Sequence, residues 1–311
     1  MPLSNYPNGF NAGILMREVP IMSAHAGKVF WVDSNATRSG RGTFNQPDLT
    51  LDAAIGRCLD NRGDIIYIKP NHSETITGAG GLTFDKEGIY VVGLGGYDNA
   101  PTFLMDGATT VTCLVTDDNT YIENLIFKAG HADIAIWGKI TAKGCTIKHC
   151  RFIENVATEN WVDCIHAGTA DNDYDGLHII GNEFIMNDAA CVTAIDLLKN
   201  SADVKIIGNR ITGDFDATPF APIYSAVGEV HKNILVQGNM IHNAHDGDAA
   251  VGISIANTSS TGWIIGNHVG HQDTAGDTAF LAGAAGLYCG ENYASGVLGT
   301  ASGFLYPSAD S

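Results

Sequence analysis

Charge is scarce in this chain, and positive charge scarcest. Only 16% of the 311 residues are charged, and 17 lysines and arginines face 34 aspartates and glutamates, a formal net charge of −17. A surface this acidic repels phosphate backbones and anionic headgroups, which excludes nucleic acid and anionic membrane as partners. No run of 18 apolar residues is present to span a bilayer. The opening segment Met1–Pro20 lacks a basic stretch followed by an apolar one, so no export signal is read there. Seven cysteines, at positions 58, 113, 145, 150, 164, 191 and 289, form no CxxC pair. Such an odd, scattered set points to buried free thiols in a protein made in the cytosol, not to a disulfide framework. Walker loops, dinucleotide fingerprints and GxSxG elbows are missing, which removes the nucleotide-dependent and serine-hydrolase classes. Low charge does not mean disorder here, because 45% of the chain is hydrophobic.

Glycine and a repeat are what the chain has in abundance. There are 37 glycines, against a usual share of about 7%. Aligned on Asn124, Cys150, Asn182, Asn209, Asn239, Asn267 and Asn292, the sequence recurs at spacings of 26, 32, 27, 30, 28 and 25. Three positions earlier stand Tyr121, Ile147, Ile179, Ile206, Val236, Ile264 and Cys289, and two positions later Ile126, Phe152, Phe184, Ile211, Ile241, Val269 and Ala294. Gly181, Gly208, Gly238 and Gly266 directly precede four of the anchors. This pattern is strand, sharp corner, strand, with glycine at the corner and asparagines placed to stack as an amide ladder. Each unit carries a further apolar run, such as Trp161–Gly168 or Val192–Leu198. A leucine-rich repeat would need leucine eight positions before each asparagine, and none is there.

One helix is expected over Asp48–Arg62, capped by Asp48 and ended by Gly63. It would close the open edge of a strand stack. The adhesion-like tripeptide Arg62-Gly63-Asp64 then reads as a helix end followed by a strand start. The fold expected is all-β: a right-handed parallel β-helix of about nine coils, its hand taken from the chirality of parallel crossovers. Residues 1–46 would form an N-terminal arm or wrap, 47–300 the capping helix and β-helix, and 301–311 a C-terminal tail.

The helix, the strand Gly63-Asp64-Ile65-Ile66-Tyr67-Ile68-Lys69-Pro70 and the segment His72–Ile76 resemble the first coil of pectate-lyase-like β-helix proteins. Met1–Pro20 and Ser302–Ser311 resemble the ends of phage head decoration, or cement, proteins built on a β-helix body. That resemblance implies a non-enzymatic homotrimer on the outer capsid surface of a virion, made in the host cytoplasm. It would bind the major capsid protein, stabilise the assembled head and also contact host-surface polysaccharide. Two other classes suit the same solenoid: a tailspike-like polysaccharide depolymerase, lyase or hydrolase, and a sugar-binding adhesin without turnover.

No catalytic residue is assigned from sequence, and no cofactor is required; a divalent cation is the one candidate ligand. The run Asp171-Asn172-Asp173-Tyr174-Asp175-Gly176 opens like a calcium loop, but position twelve is Asn182 instead of glutamate. His242 and His245 followed by Asp246, and His268 and His271 followed by Asp273, are two HxxH copies about one coil apart. Cys145, His149 and Cys150 form a weaker metal set. Acids after the anchors (Glu154, Glu159, Asp188, Asp214, Asp216, Asp246, Asp248, Asp273, Asp277) would stack into an acidic flank, either a solvated face or the source of a carboxylate pair. Trp137, Trp161, Tyr174 and Tyr224 would stack on sugars if exposed, and otherwise belong to the core or an interface.

Overall fold

The computed structural model describes residues 15–16, 19–20, 27–38, 40–156, 158–215, 221–244, 251–271, 286–295 and 303–305. Strands wind through three sheets. The first holds ten parallel strands, from Val29–Val32 and Ile65–Ile68 up to Leu287–Gly290. The second holds nine parallel strands, from Ser73–Thr77 to Asn292–Ser295, with Gly303–Leu305 added antiparallel as the tenth. The third holds seven, from Leu82–Phe84 to Ile253–Ser254. The result is the expected right-handed parallel β-helix. Seven turns carry a strand in all three sheets, where about nine coils were expected. The difference lies at the ends. The first turn leaves Val29–Val32 for a capping loop and helix, and the last two turns contribute only to the first and second sheets among the described residues.

The helix is also shorter than expected, Leu51–Ile55, and its cap is Thr50, whose side chain accepts from Ala53 N. Asp48 is otherwise engaged. Its backbone bridges to Val32, and its buried carboxylate takes both the Nε and Nη2 of Arg57, at 2.7 and 2.9 Å. After Ile55 the chain tightens into i to i+3 turns, Arg57 N to Ala54 O and Cys58 N to Ile55 O. Leu51, Ala54 and Ile55 face the interior and plug the end of the stack. Asp64 is buried, bonded by Lys28 N, Leu59 N and the Arg62 guanidinium, so the adhesion-like tripeptide is structural. Burial alone would raise the Asp64 pKa, but Arg62 and the two amides outweigh it and hold it low.

Inside, like residues stack on like because each turn repeats the last. Phe103, Phe127, Phe152 and Phe184 form a column with centroids 5.5, 5.6 and 4.8 Å apart. Trp137 packs 4.8 Å from both Phe127 and Phe152. Phe152 is fully enclosed in this column. Phe152→Ala is expected to cost about 3–5 kcal/mol of stability, read as a lowered denaturation midpoint; a change under about 1 kcal/mol would show the column is not tightly packed.

The corner between the first and second sheets corrects the sequence alignment. Positive φ recurs at Asn124, His149, Gly181, Gly208, Gly238, Gly266 and Glu291, between 51° and 68°. Asn124 therefore belongs with the corner glycines, one place ahead of the buried anchors. Strand pairing agrees: Ile122, not Tyr121, lies opposite Ile147, and Phe127, not Ile126, opposite Phe152. With a side-chain period of two, that single step exchanges inside for outside. Accordingly Ile122 is buried and Tyr121 half-exposed. Glycine is favoured at this corner because L side chains pay a steric penalty at such φ values. Above it the amide ladder forms as expected. Asn182, Asn209, Asn239 and Asn267 each donate Nδ2 to the Oδ1 of the next asparagine, ending on Asn292, at 2.9–3.1 Å.

At the third corner His231 is wholly buried between two serines, with Ser201 Oγ 2.8 Å from Nδ1 and Ser225 Oγ 2.7 Å from Nε2. Burial pushes its pKa down to about 4. A depressed histidine contributes stability that is complete above the unfolded pKa and is lost as pH falls through the folded one. The stability advantage of the wild type over His231→Asn should therefore shrink between pH 6.5 and 4, by up to about 3 kcal/mol. A gap that stays constant with pH in paired melts would refute this.

Candidate active site

The outer face of the third sheet carries the most unusual cluster. In strand Trp161–Ala167, Cys164 and Ile165 are both buried, which breaks strict alternation and turns Asp163 and His166 to the same outer face. The next strand, Thr193–Leu197, pairs in register with Thr193 opposite Asp163 and Asp196 opposite His166. Parallel stacking thus brings two acids and an imidazole together from residues 30 apart in sequence.

His166 Nε2 lies 3.2 Å from Asp163 Oδ2 and 3.6 Å from Asp196 Oδ2. Both are close charge contacts and neither is an aligned hydrogen bond, since Nε2 has no hydrogen-bond partner. The two Oδ2 atoms are therefore no more than about 7 Å apart, close enough for both carboxyls to face one substrate bond. Their surroundings differ. Asp163 is the more open and accepts a 2.7 Å bond from Thr193 Oγ1. Asp196 is only 5% exposed, and its Oδ1 has no hydrogen-bond partner. Burial raises its pKa; His166 offsets part of this and Asp163 adds to it, leaving the group at about 6.

The same column explains the burial. Asp196 is followed by Tyr224, which packs with Ala221 and Val251 in a small apolar cluster above the sheet. On the other side His166 is preceded by half-exposed Lys139. The acids sit where a covered part of the face meets an open part. A buried carboxyl pushed up by burial beside a second, more open carboxyl is an arrangement suited to acid–base chemistry.

These residues were not singled out by sequence, where both strands read as apolar runs. The available signal was charge inside those runs, Asp163 and His166 in one and Asp196 in the next, since buried strands rarely hold unpaired charge.

The sequence candidates lie elsewhere. Asp171 is exposed. Asp173 Oδ2 accepts from Thr169 N, Thr169 Oγ1 and Ala170 N, and so shapes a turn. Asp175 accepts from Ala202 N and lies 3.5 Å from Lys143. His242 pairs with Gly270 and His268 with Met240, so these two histidines are not in one column. His245 lies outside the described residues, and His271 is described by its backbone alone, opposite Asn243. Among the described residues no three histidines, cysteines or acids form a metal-binding group. Cys145 and Cys150 are buried, while His149 is exposed and contacts Glu123 at 3.3 Å. Burial pushes both thiols up to about 12, and all seven cysteines are free.

Of the acidic flank, Glu154 accepts from Asp188 N at 3.0 Å and is raised in pKa chiefly by burial. Glu159 bonds Asn155. Asp216, Asp246, Asp248, Asp273 and Asp277 lie outside the described residues. Trp137, Trp161, Tyr174 and Tyr224 are all buried and offer no sugar face.

No protein-family model matches the chain, and no curated protein matches it in sequence. Among solved structures it is similar to a pectate lyase, Pel9A, at 13% identity over 86% of this chain and 80% of that one, with a TM-score of 0.47. A rhamnogalacturonan lyase is similar at 14% identity over 86% and 87%, TM-score 0.45. The DFA-IIIase of Arthrobacter chlorophenolicus A6 is similar at 10% over 90% and 86%, TM-score 0.35. The likeness is in the course of the solenoid and assigns no residue a role. The phage resemblance of the chain ends has no counterpart among these structures.

Proposed function

We propose that the chain is a polysaccharide-cleaving protein acting at the outer face of the third sheet. The observation that carries this reading is the Asp196 carboxyl, buried with one oxygen unpartnered beside Asp163 and His166. In the proposed step Asp196 gives its proton to the glycosidic oxygen as the bond from that oxygen to the anomeric carbon breaks. Asp163 takes a proton from the water that attacks the same carbon. His166 lies against both acids and positions them. The test is incubation with a panel of bacterial and plant polysaccharides, followed by polymer size and reducing-end analysis. Shortening of at least one polymer is expected, with activity falling as pH rises through about 6 and Asp196 loses its proton. Binding without any shortening would replace this reading with that of an adhesin. The capsid-decoration role rests on the chain ends, of which residues 1–14 and 306–311 lie outside the described residues; copy number in purified particles is its test.

A further inference from the structure

The capped end of the solenoid holds a second feature, independent of the acid pair. The capping loop and Lys69 frame a depression of about 760 Å³, lined by Arg38, Arg41, Lys69, Asp33, Asn45 and Gln46 among others. Its size suits a small ligand or one or two sugar units. Its charge runs against the rest of the molecule. The chain has twice as many acids as bases, yet three cations meet here with one acid, and that acid, Asp33, is paired with Lys69 at 3.3 Å. Among the described residues the Arg38 and Arg41 guanidiniums have no hydrogen-bond or ion-pair partner.

The frame is built, not loose. Arg41 N bonds Gln46 O at 2.9 Å, Gly40 N bonds Pro47 O at 3.0 Å, and Arg57 Nη2, itself locked to Asp48, bonds Gly40 O at 3.0 Å. A side chain at Gly40 would place its Cβ 2.1 Å from Gln46 O, so the hairpin closes only with glycine there. Beside the depression Phe44 is 58% exposed, with Lys69 Nζ 4.7 Å from its ring centre and Trp31 edge-on at 4.9 Å.

Two guanidinium forks without a partner among the described residues match the oxygens of a carboxylate or sulfate. An exposed aromatic face suits the apolar side of a sugar ring. Side-chain amides suit its hydroxyls. We infer that this depression binds an acidic sugar unit, uronic or sulfated, of a polysaccharide chain.

The experiment is titration of the full chain at low salt, followed by calorimetry, with trigalacturonate, with maltotriose as a neutral trisaccharide of equal length, and with inorganic sulfate. Trigalacturonate should bind, more weakly as salt rises, and maltotriose should not. The double variant Arg38→Ala, Arg41→Ala should weaken trigalacturonate binding by about tenfold or more, with an unchanged melting midpoint as the check on folding. Phe44→Ala should weaken trigalacturonate but leave sulfate unaffected. Equal affinity for maltotriose, or a double variant that binds as the wild type does, overturns the inference. Sulfate binding as tightly as trigalacturonate overturns the sugar assignment. Binding is read without turnover, so a failure to cleave polysaccharide leaves this result standing.

Discussion

Asp196→Asn is expected to lower polysaccharide cleavage by about a thousandfold while making the protein more stable at about pH 7.5. The two effects share one cause. In the folded chain burial pushes the carboxyl up to about 6, from an ordinary value of 3.8. A carboxyl raised on folding contributes stability that is complete below pH 3.8 and lost as pH rises through 6, because the native state must then carry a charge it solvates poorly. At about pH 7.5 the wild type bears that cost in full, on the order of 1–3 kcal/mol. Asparagine keeps the shape and removes the charge, so its melting midpoint should lie several degrees higher at pH 7.5 and converge on the wild type near pH 4. Asp163→Asn should also abolish cleavage, but without comparable stabilisation, because that carboxylate is more open and satisfied by Thr193. An Asp196→Asn variant that retained activity, or melted earlier than the wild type at neutral pH, would refute the assignment. The effect runs opposite in pH to that of His231, and the two oppose each other in the wild type. The single variants are needed to see either.

Asn209→Ala, inside the asparagine ladder, should be strongly destabilising, costing about 4 kcal/mol or more. The side chain of Asn209 accepts from both Asn182 N and Asn182 Nδ2, and donates to Ile179 O and Asn239 Oδ1. All of these contacts are buried. Truncation takes this partner from Asn182 N and Ile179 O on the preceding turn, and one of two partners from Asn182 Nδ2 and Asn239 Oδ1, at about 1–3 kcal/mol for each group left unmade, partly relieved by relaxation. Asn292→Ala, at the end of the described ladder, leaves fewer orphans and should cost clearly less. Urea denaturation of the two variants decides the point; equal losses would mean the ladder is a row of independent bonds.

The solenoid was legible in sequence because its cause is periodic. Glycines before asparagines, flanked by apolar residues, set both corner and ladder, and five successive anchors from Asn182 to Asn292 were aligned correctly. The alignment slipped at Asn124 because that residue can occupy either role: it tolerates positive φ as glycine does, and it is also an asparagine. The pairings of Ile122 with Ile147 and Phe127 with Phe152 separate the two. The helix was read too long because Asp48 is a good cap by type, and its capture by Arg57 is a tertiary event. The acid pair was hidden for a related reason. Asp163 and Asp196 meet through the register of one turn upon the next, and the candidates drawn from sequence were local motifs, Asp171–Gly176 and the HxxH copies, whose members lie close along the chain. Local spacing describes a turn; in a solenoid the sites are assembled along the axis.

The strand Gly303–Leu305 closes the second sheet by running against the strands below it, and the loop at the other end occupies the outer edge of Val29–Val32 through Trp31 N to Gly42 O and Asp48 N to Trp31 O. A stack of identical rungs resembles a one-dimensional crystal, and such a crystal grows wherever its last layer looks like its first. Here, among the described residues, the second sheet ends on a strand of reversed polarity and the first sheet begins under backbone of another shape, so each is capped at one end. At those two edges a copy of the chain meets no matching rung, which works against lengthening into a fibre by simple continuation.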